Sequence, residues 1–285
     1  MLDLRPVRAF LDSEHEAWAC TAAKFASAEL ARRPEPVDDD AGRIEARDVL
    51  SAMGAAGLLD PIGTLDLRAC CLAREAIAAA SPLADAVWAL QGLGITPLLL
   101  AGSDRLREQW APGALAGEIM SAFAMTEPDA GSDVASMKTR AVRDGDDYVL
   151  DGHKWLISNA GIADYYVVFA STDPEAGSRG ISAFLVPAET EGLTFAGAQV
   201  MSAPHPLGEL QLTGCRVSAT NRIGEEGRGF MLGMATLDQL RPTVGAAACG
   251  MAQRAIDEAL AHAMGREQFG KPLSDFQIIQ DKLGR

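Results

Sequence analysis

The spacing of apolar residues in this chain changes twice, and no other feature constrains its fold as much. Up to about residue 118 they recur at steps of three and four. From Glu118 to about Glu226 they alternate, and after Gly227-Arg228-Gly229 the helical step returns and persists. Helices and alternating strands bury different faces, so the chain reads as three consecutive units. These are an N-terminal helical domain over 1–118, a β domain over 119–226 and the first part of a C-terminal helical bundle over 227–285. The expected class is α+β multidomain. Apolar side chains make up 48% of the 285 residues, enough to fill such cores and to exclude disorder as a description of the whole.

In the first unit, Leu65, Ala69, Leu72, Ala73, Ala76 and Ile77 predict a helix over 65–80, closed by Ser81-Pro82. A second helix is expected from about Leu83, and a third after Gly102, with Ser103 as its N-cap. The segment from Arg33 to Asp40 carries two prolines and three aspartates, and reads as a loop with a solvated acidic face. In the middle unit, Thr139–Arg143 and Tyr148–Ser158 flank Asp144-Gly145-Asp146-Asp147, which predicts a hairpin. Further strands are expected at Tyr165–Ala170, Ile181–Pro187 and Glu209–Leu212. No long helix separates them, which suggests an antiparallel barrel or sandwich.

In the last unit, Met231, Met234, Leu240, Val244, Ala247, Met251, Ala255, Leu260 and Ala263 mark a helix of more than thirty residues, with Pro242 able to kink it. The methionine-rich stripe is expected to be core. Gly270-Lys271-Pro272 should end this helix, and Ser274 should cap another that starts at Asp275 and Phe276. That helix is still running at Arg285, so the expectation is a chain cut short within its terminal bundle.

Lys plus Arg number 25 against 39 Asp plus Glu, a net charge of −14. A field of that sign repels nucleic acid and anionic lipid, so an anionic ligand must be held by local donors. Cys20, Cys70, Cys71, Cys215 and Cys249 show no metal-ligand spacing, nor do the four histidines. Reduced buried thiols, surface or core histidines and no metal site are expected. The N-terminus has neither leader nor transit character, and no run approaches the ~18 apolar residues of a membrane span. A soluble, cytoplasmic protein is expected.

Three stretches could carry chemistry. Phe123-Ala124-Met125-Thr126-Glu127-Pro128-Asp129-Ala130-Gly131-Ser132-Asp133 runs from an apolar strand into a turn whose small residues let a ligand approach the backbone. Taken alone it is more often a plain loop. Gly152-His153-Lys154-Trp155-Leu156-Ile157-Ser158-Asn159-Ala160-Gly161 could set a hydroxyl and amides beside a planar ring, although Lys154 next to Trp155 is unremarkable. Arg266-Glu267-Gln268-Phe269-Gly270, followed by Phe276-Gln277, puts an arginine at a helix end, where answering the helix dipole is the simpler role. Neither a Rossmann nor a Walker pattern is found, because Gly92-Leu93-Gly94 lacks its third glycine and lies between helices.

In this order the three stretches, together with Asp238 and Arg241 on the long helix, resemble the acyl-CoA dehydrogenase family over the whole chain. The resemblance implies FAD bound between the β domain and the last helices, with Phe123, Met125, Thr126 and Ser132 along the flavin and Ser158 facing its N5. Leu156 falls where the family has a stacking tryptophan, and Trp155 stands one residue early. Ser132, Asp238 and Arg241 would meet the acyl-CoA substrate, although an i, i+3 Asp–Arg pair is equally read as a surface ion pair. Arg266, Phe269 and Gln277 would reach the FAD of a neighbouring subunit, in a homo-oligomer built as a dimer of dimers. The implied reaction is α,β-dehydrogenation to a trans-2-enoyl-CoA, with electrons passed to an electron-transfer flavoprotein. An oxidase using O2, or a flavin/CoA-binding fragment without turnover, are the alternatives. No catalytic base is assigned. In one branch of the family it occupies the position of Leu240, and in most it lies further along the chain than Arg285.

Overall fold

All but one short helix of the N-terminal unit start where a short polar side chain can satisfy their first free N–H groups. The computed structural model describes residues 3–285. Helix α1 (Ser13–Phe25) runs into one π-helical turn at Ala26–Leu30. Helix α2 (Asp39–Ala55) is followed by the short α3 (Asp60–Thr64), α4 (Leu67–Ala80), α5 (Pro82–Ala101) and α6 (Asp104–Leu115). Asp38 accepts the Ala41 N–H, Asp66 those of Arg68 and Ala69, and Ser103 that of Leu106. Ser81 ends α4 and caps α5 with its own hydroxyl, which is why one Ser-Pro step both stops and starts a helix. The acidic run expected to be a solvated loop instead opens α2. Asp39 and Asp40 lie in its first turn, where carboxylates suit the helix dipole.

Helix α5 departs from the expectation that no segment is long and apolar enough to cross a membrane. Over 18 of its 20 residues the mean hydropathy reaches 1.4, yet 67% of that stretch is buried inside the protein. It is apolar on nearly all sides because α2, α4, α6, the first strand (Ser121–Ala124) and the long C-terminal helix (Gly229–Gly265) surround it. Gln91, fully buried on α5, donates to the carbonyls of Ala114 and Ile119 and accepts the Ser121 N–H, fastening the helices to the first strand. Gly94 leaves room for Ser121, where any Cβ would collide with its side chain.

The sheet contains β1 (Ser121–Ala124), β2 (Arg140–Asp144), β3 (Asp147–Ser158), β4 (Tyr165–Ser171), β5 (Ile181–Pro187), β6 (Leu193–Ala198), β7 (Leu207–Ser218) and β8 (Arg222–Ile223). Its spatial order is β6-β7-β3-β2-β4-β5-β8, with β1 beside β4. The β2–β3 hairpin turns at Gly145-Asp146, with Gly145 at φ +64° as a tight turn demands. Pairing is antiparallel except at one edge of β4, where β1 runs parallel over Ser121–Ala124 and β2 touches in parallel at Arg140–Ser171. The sheet is therefore mixed. Strand β1 arrives from α6 rather than from a hairpin, and the β2–β3 excursion brings the chain back to β4 in the same sense. Tyr165 and Phe169 are wholly buried on one face of it, Tyr148 and Phe184 on the other.

Helix α7 (Gly229–Gly265) runs 37 residues with Pro242 inside it. The stripe expected to be core is buried only in part, at Leu240, Ala247 and Ala263. Met231, Val244, Met251 and Leu260 are exposed, while Leu232, Gly233, Thr236, Leu240, Thr243, Ala247 and Gly250 face inward. Small residues on that face let α7 approach α4 closely, and a Cβ on Gly250 would collide with the Glu75 carbonyl. Strands β9 (Glu267–Gln268) and β10 (Lys271–Pro272) form a minimal hairpin before α8 (Gln277–Gly284). Ser274 does not cap α8. The residue before that helix is Phe276, in extended backbone with no side-chain cap, and the Ser274 carbonyl accepts from Gln280 instead. The thiols differ too: Cys70 and Cys215 are buried, but Cys20 and Cys249 are exposed.

Candidate functional site

The first two chemical stretches meet along the edge of β3. Where β1 ends, Met125 and Thr126 turn alongside the strand, and the Thr126 carbonyl accepts the Trp155 N–H at 3.0 Å. The following loop closes on itself through reciprocal 3.1 Å bonds between Glu127 and Ala130. The Glu127 carboxylate points inward, taking the N–H groups of Lys138 (2.6 Å) and Thr139 (3.0 Å) and the Lys154 ammonium (2.9 Å). Lys154 also donates to the Met125 carbonyl at 3.2 Å. Burial opposes the ionised Glu127, but Lys154 and the N–H donors outweigh it and hold its pKa below the usual carboxylate range. Burial brings the Lys154 ammonium down to about 8, with Glu127 offsetting part of that fall.

Lys154 is thus far from unremarkable, since it anchors the loop that carries Thr126. Its strand parity was the available signal: Tyr148, Leu150, Gly152 and Lys154 share one face of β3, and that face is turned toward the core. Gly152 belongs to the same device, because a Cβ there would collide with Thr139. Outside this anchor the loop is open. Thr126 is half-buried and Ser132 exposed, and Gly131 has no neighbour near its missing side chain.

The far end of β3 bends at Leu156, a half-exposed residue at φ +54° where the register against β7 shifts. Its N–H donates to Gln199 at 3.1 Å. Ser158 follows, its hydroxyl 2.8 Å from His205 Nε2. Asn159 then ties the strand end to its neighbours, donating its N–H to the Pro206 carbonyl and its amide to that of Ser121. Two arginines reach over from α2. Arg43 bonds the carbonyls of Ala160 (2.6 Å) and Leu207 (2.7 Å), and Arg47 forms paired 2.8 Å bonds to Asp164. None of these partners carries a local sequence signal, because His205 and Arg43 are brought in by tertiary folding alone.

Phe123 and Met125 face the start of α7. The Phe123 ring lies 4.8 Å from that of Phe169, and Gly233 leaves space for the Met125 methyl. Further along α7 a cavity of about 230 Å³ opens against α5, lined by Trp88, Leu93, Leu240, Arg241 and Val244 among others. Arg74 at its edge forms a buried pair with Asp85 (2.7 Å) and donates to Thr243 (2.9 Å). Asp238 and Arg241 stand 3.4 Å apart with both side chains exposed, the geometry of a weak surface ion pair. Arg241 nonetheless borders the cavity.

Arg266, Phe269 and Gln277 are not brought to this rim. Gly265 lies about 48 Å along the helix axis from Gly233, at 1.5 Å per residue. Phe269 is 94% exposed at φ +54°, and Arg266 and Gln277 are exposed beside it.

The residues around Thr126 and Ser158 fit FAD in their chemistry. Thr126 and Ser158 carry neutral hydroxyls on the two segments that the Trp155–Thr126 bond joins, and half-exposed Leu156 lies between Trp155 and Ser158 as apolar surface. The Glu127 carboxylate, next to Thr126 in the chain, is turned inward and neutralised by Lys154. A flat ring with hydrogen-bonding edges and negative charge when reduced needs that combination.

Three family models match in sequence: the acyl-CoA dehydrogenase N-terminal domain over residues 12–118, the middle domain over 122–215 and the C-terminal domain over 227–285. The chain is 38% identical over 282 residues to "Probable acyl-CoA dehydrogenase fadE25" of Mycobacterium leprae (strain TN), covering 96% of this chain and 72% of that protein. Among solved structures, it superposes on a chain of the electron transferring flavoprotein study of Acidaminococcus fermentans with TM-score 0.90 and 32% identity, covering 96% of this chain and 74% of that one. A glutaryl-CoA dehydrogenase of Mycobacterium smegmatis in complex with FADH2 matches with TM-score 0.87 and 29% identity, covering 99% and 74%.

Proposed function

Since this chain belongs to the acyl-CoA dehydrogenase family, we propose that it carries out FAD-dependent dehydrogenation of an acyl-CoA thioester to a trans-2-enoyl-CoA. The observation that carries the site assignment is the shared rim of Thr126 and Ser158, joined by the Trp155–Thr126 backbone bond and held by the buried Glu127–Lys154 pair. Bound FAD supplies the acceptor for hydride from the substrate Cβ. Thr126 and Ser158 offer hydrogen bonds to the ring edge, while Phe123, Met125 and Leu156 give it apolar cover and exclude water. Ser132 is read as meeting both cofactor and substrate, and the cavity between α5 and α7 as receiving the acyl chain near Asp238 and Arg241.

Proton removal needs a carboxylate, and among the described residues none lines that cavity. Leu240 on its wall cannot take a proton, and Glu127 is committed to Lys154. That observation favours a second reading, a flavin and CoA binder without turnover. The rise of about 48 Å along α7 from Gly233, beside Met125, to Gly265 supports assigning Arg266, Phe269 and Gln277 to the FAD of a second copy, hence a homo-oligomer, with a dimer of dimers proposed. A guanidinium suits a diphosphate because it offers paired donors. The electron-transfer flavoprotein is the proposed acceptor.

The test is an FAD titration of the purified chain, then anaerobic addition of acyl-CoA. Yellow protein that bleaches supports the dehydrogenase, and yellow protein that does not bleach supports the binder. Failure to bind FAD overturns both. Peroxide release under air in place of dye reduction would indicate an oxidase.

A further inference from the structure

We propose that His205 sets the direction of the Ser158 hydroxyl and so acts as a positioning residue for hydrogen transfer at this rim. The inference rests on Ser158 facing the flavin ring, as read above. Ser158 Oγ and His205 Nε2 are 2.8 Å apart, well within hydrogen-bond length. A serine hydroxyl has one hydrogen to give and lone pairs to accept with, whereas a neutral imidazole donates from one nitrogen and accepts at the other. With Nε2 bare, Ser158 gives its hydrogen to the ring and presents lone pairs outward, ready for a partner that bears hydrogen. With hydrogen on Nε2, the imidazole donates to Oγ and the serine hydrogen is free to meet a bare acceptor outward. An acceptor that starts bare and ends carrying hydrogen calls for both arrangements. A serine beside a tautomeric histidine can provide them in turn without either side chain moving, the ring of the partly exposed His205 taking a proton from water at one nitrogen and releasing one to water from the other.

His205 is held for that role. Pro204 packs against Gly42 of α2, where a Cβ would press on the proline ring. The next two residues are tied down, because the Pro206 carbonyl accepts the Asn159 N–H and that of Leu207 accepts from Arg43. The charged groups acting on the imidazole are Asp39 and Arg43, both on α2 and paired with each other at 2.6 Å. Burial, with Arg43 adding to it and Asp39 opposing, keeps the His205 pKa below the ordinary imidazole value, so the ring is neutral near pH 7.

Two measurements test this on the full chain. In the protein without added FAD, 15N NMR of the His205 ring is compared between wild type and Ser158→Ala. The expected result is a displaced Nε2 resonance, and an unmoved one overturns the contact. With FAD bound, the flavin reduction potential and single-turnover reduction rate are measured for His205→Ala, His205→Gln, Ser158→Ala and the His205→Ala/Ser158→Ala pair, each first checked for folding by circular dichroism. His205→Ala should shift the potential and slow reduction about five- to tenfold, the worth of one hydrogen bond, and should add nothing in the Ser158→Ala background. His205→Gln, which keeps a donor and an acceptor, should recover part of the loss. An equal effect of His205→Ala with and without Ser158 overturns the proposal while leaving the proposed function intact. Failure of wild type to bind FAD overturns the proposed function, and this role with it.

Discussion

Lys154 Nζ lies 2.9 Å from Glu127 Oε1, and neither side chain has meaningful contact with solvent. A buried pair of this kind adds little over a well-packed apolar pair, but removing one partner strands the other charge. Glu127→Gln or Lys154→Met alone should therefore cost about 3–5 kcal/mol in urea unfolding, by the general cost of breaking such pairs. The double variant should recover a large part of that loss. Additive losses would show that the two groups do not act as a pair.

The same pair shapes the pH dependence of stability. Glu127 titrates lower in the folded state, so its contribution is present above the unfolded pKa near 4.5 and is lost as pH falls below it. Lys154 also titrates lower when folded, at about 8 against 10.5 unfolded. Between those values the unfolded chain binds more protons, so stability from this residue rises with pH. Unfolding midpoints measured across both windows should change less with pH in the Glu127→Gln/Lys154→Met variant than in wild type.

Gly250 on α7 sits directly against the Glu75 carbonyl of α4. Gly250→Ala must push the helices apart despite its better helix propensity. A loss of about 1–3 kcal/mol is expected, the usual range for overpacking. Gly245→Ala, with open space around it, should be neutral or stabilising by up to about 1 kcal/mol. Thermal melts should show a lowered midpoint for Gly250→Ala and an unchanged or raised one for Gly245→Ala.

Leu156 holds a left-handed backbone that costs a branched side chain about 1–2 kcal/mol. Leu156→Gly should relieve that strain and raise the melting temperature of the protein without FAD. It should also weaken FAD binding, since it removes the apolar cover at the rim. A variant that gains stability and keeps full FAD affinity would remove Leu156 from the site.

The three-unit plan, the Gly145 turn and the span of β5 were legible because they follow from local period and turn chemistry. The inward face of α7 was not. Methionine and leucine marked a stripe by hydrophobicity, but the face is chosen by how closely α4 can approach, and Gly233, Thr236 and Gly250 decide that. The sequence pattern singled out Thr126 and Ser158, since their neighbours form recognisable runs, and the Trp155–Thr126 bond joins the two runs in the fold. Lys154 was readable only from its strand parity, and His205 not at all, because it lies 47 residues from Ser158 on a loop placed by α2. The parallel β1–β4 pairing escaped for a similar reason: strand direction depends on where the chain re-enters the sheet.

Arg43 and Arg47 have a practical implication for anyone dissecting this molecule. They stand one turn apart on α2 and hold the carbonyls and the carboxylate that frame the end of β3. An excised β module would keep every motif residue from Phe123 to Ser158 and still lose the struts that fix their spacing. Variation in α2, well outside the motif runs, is therefore able to shift the spacing of the end of β3.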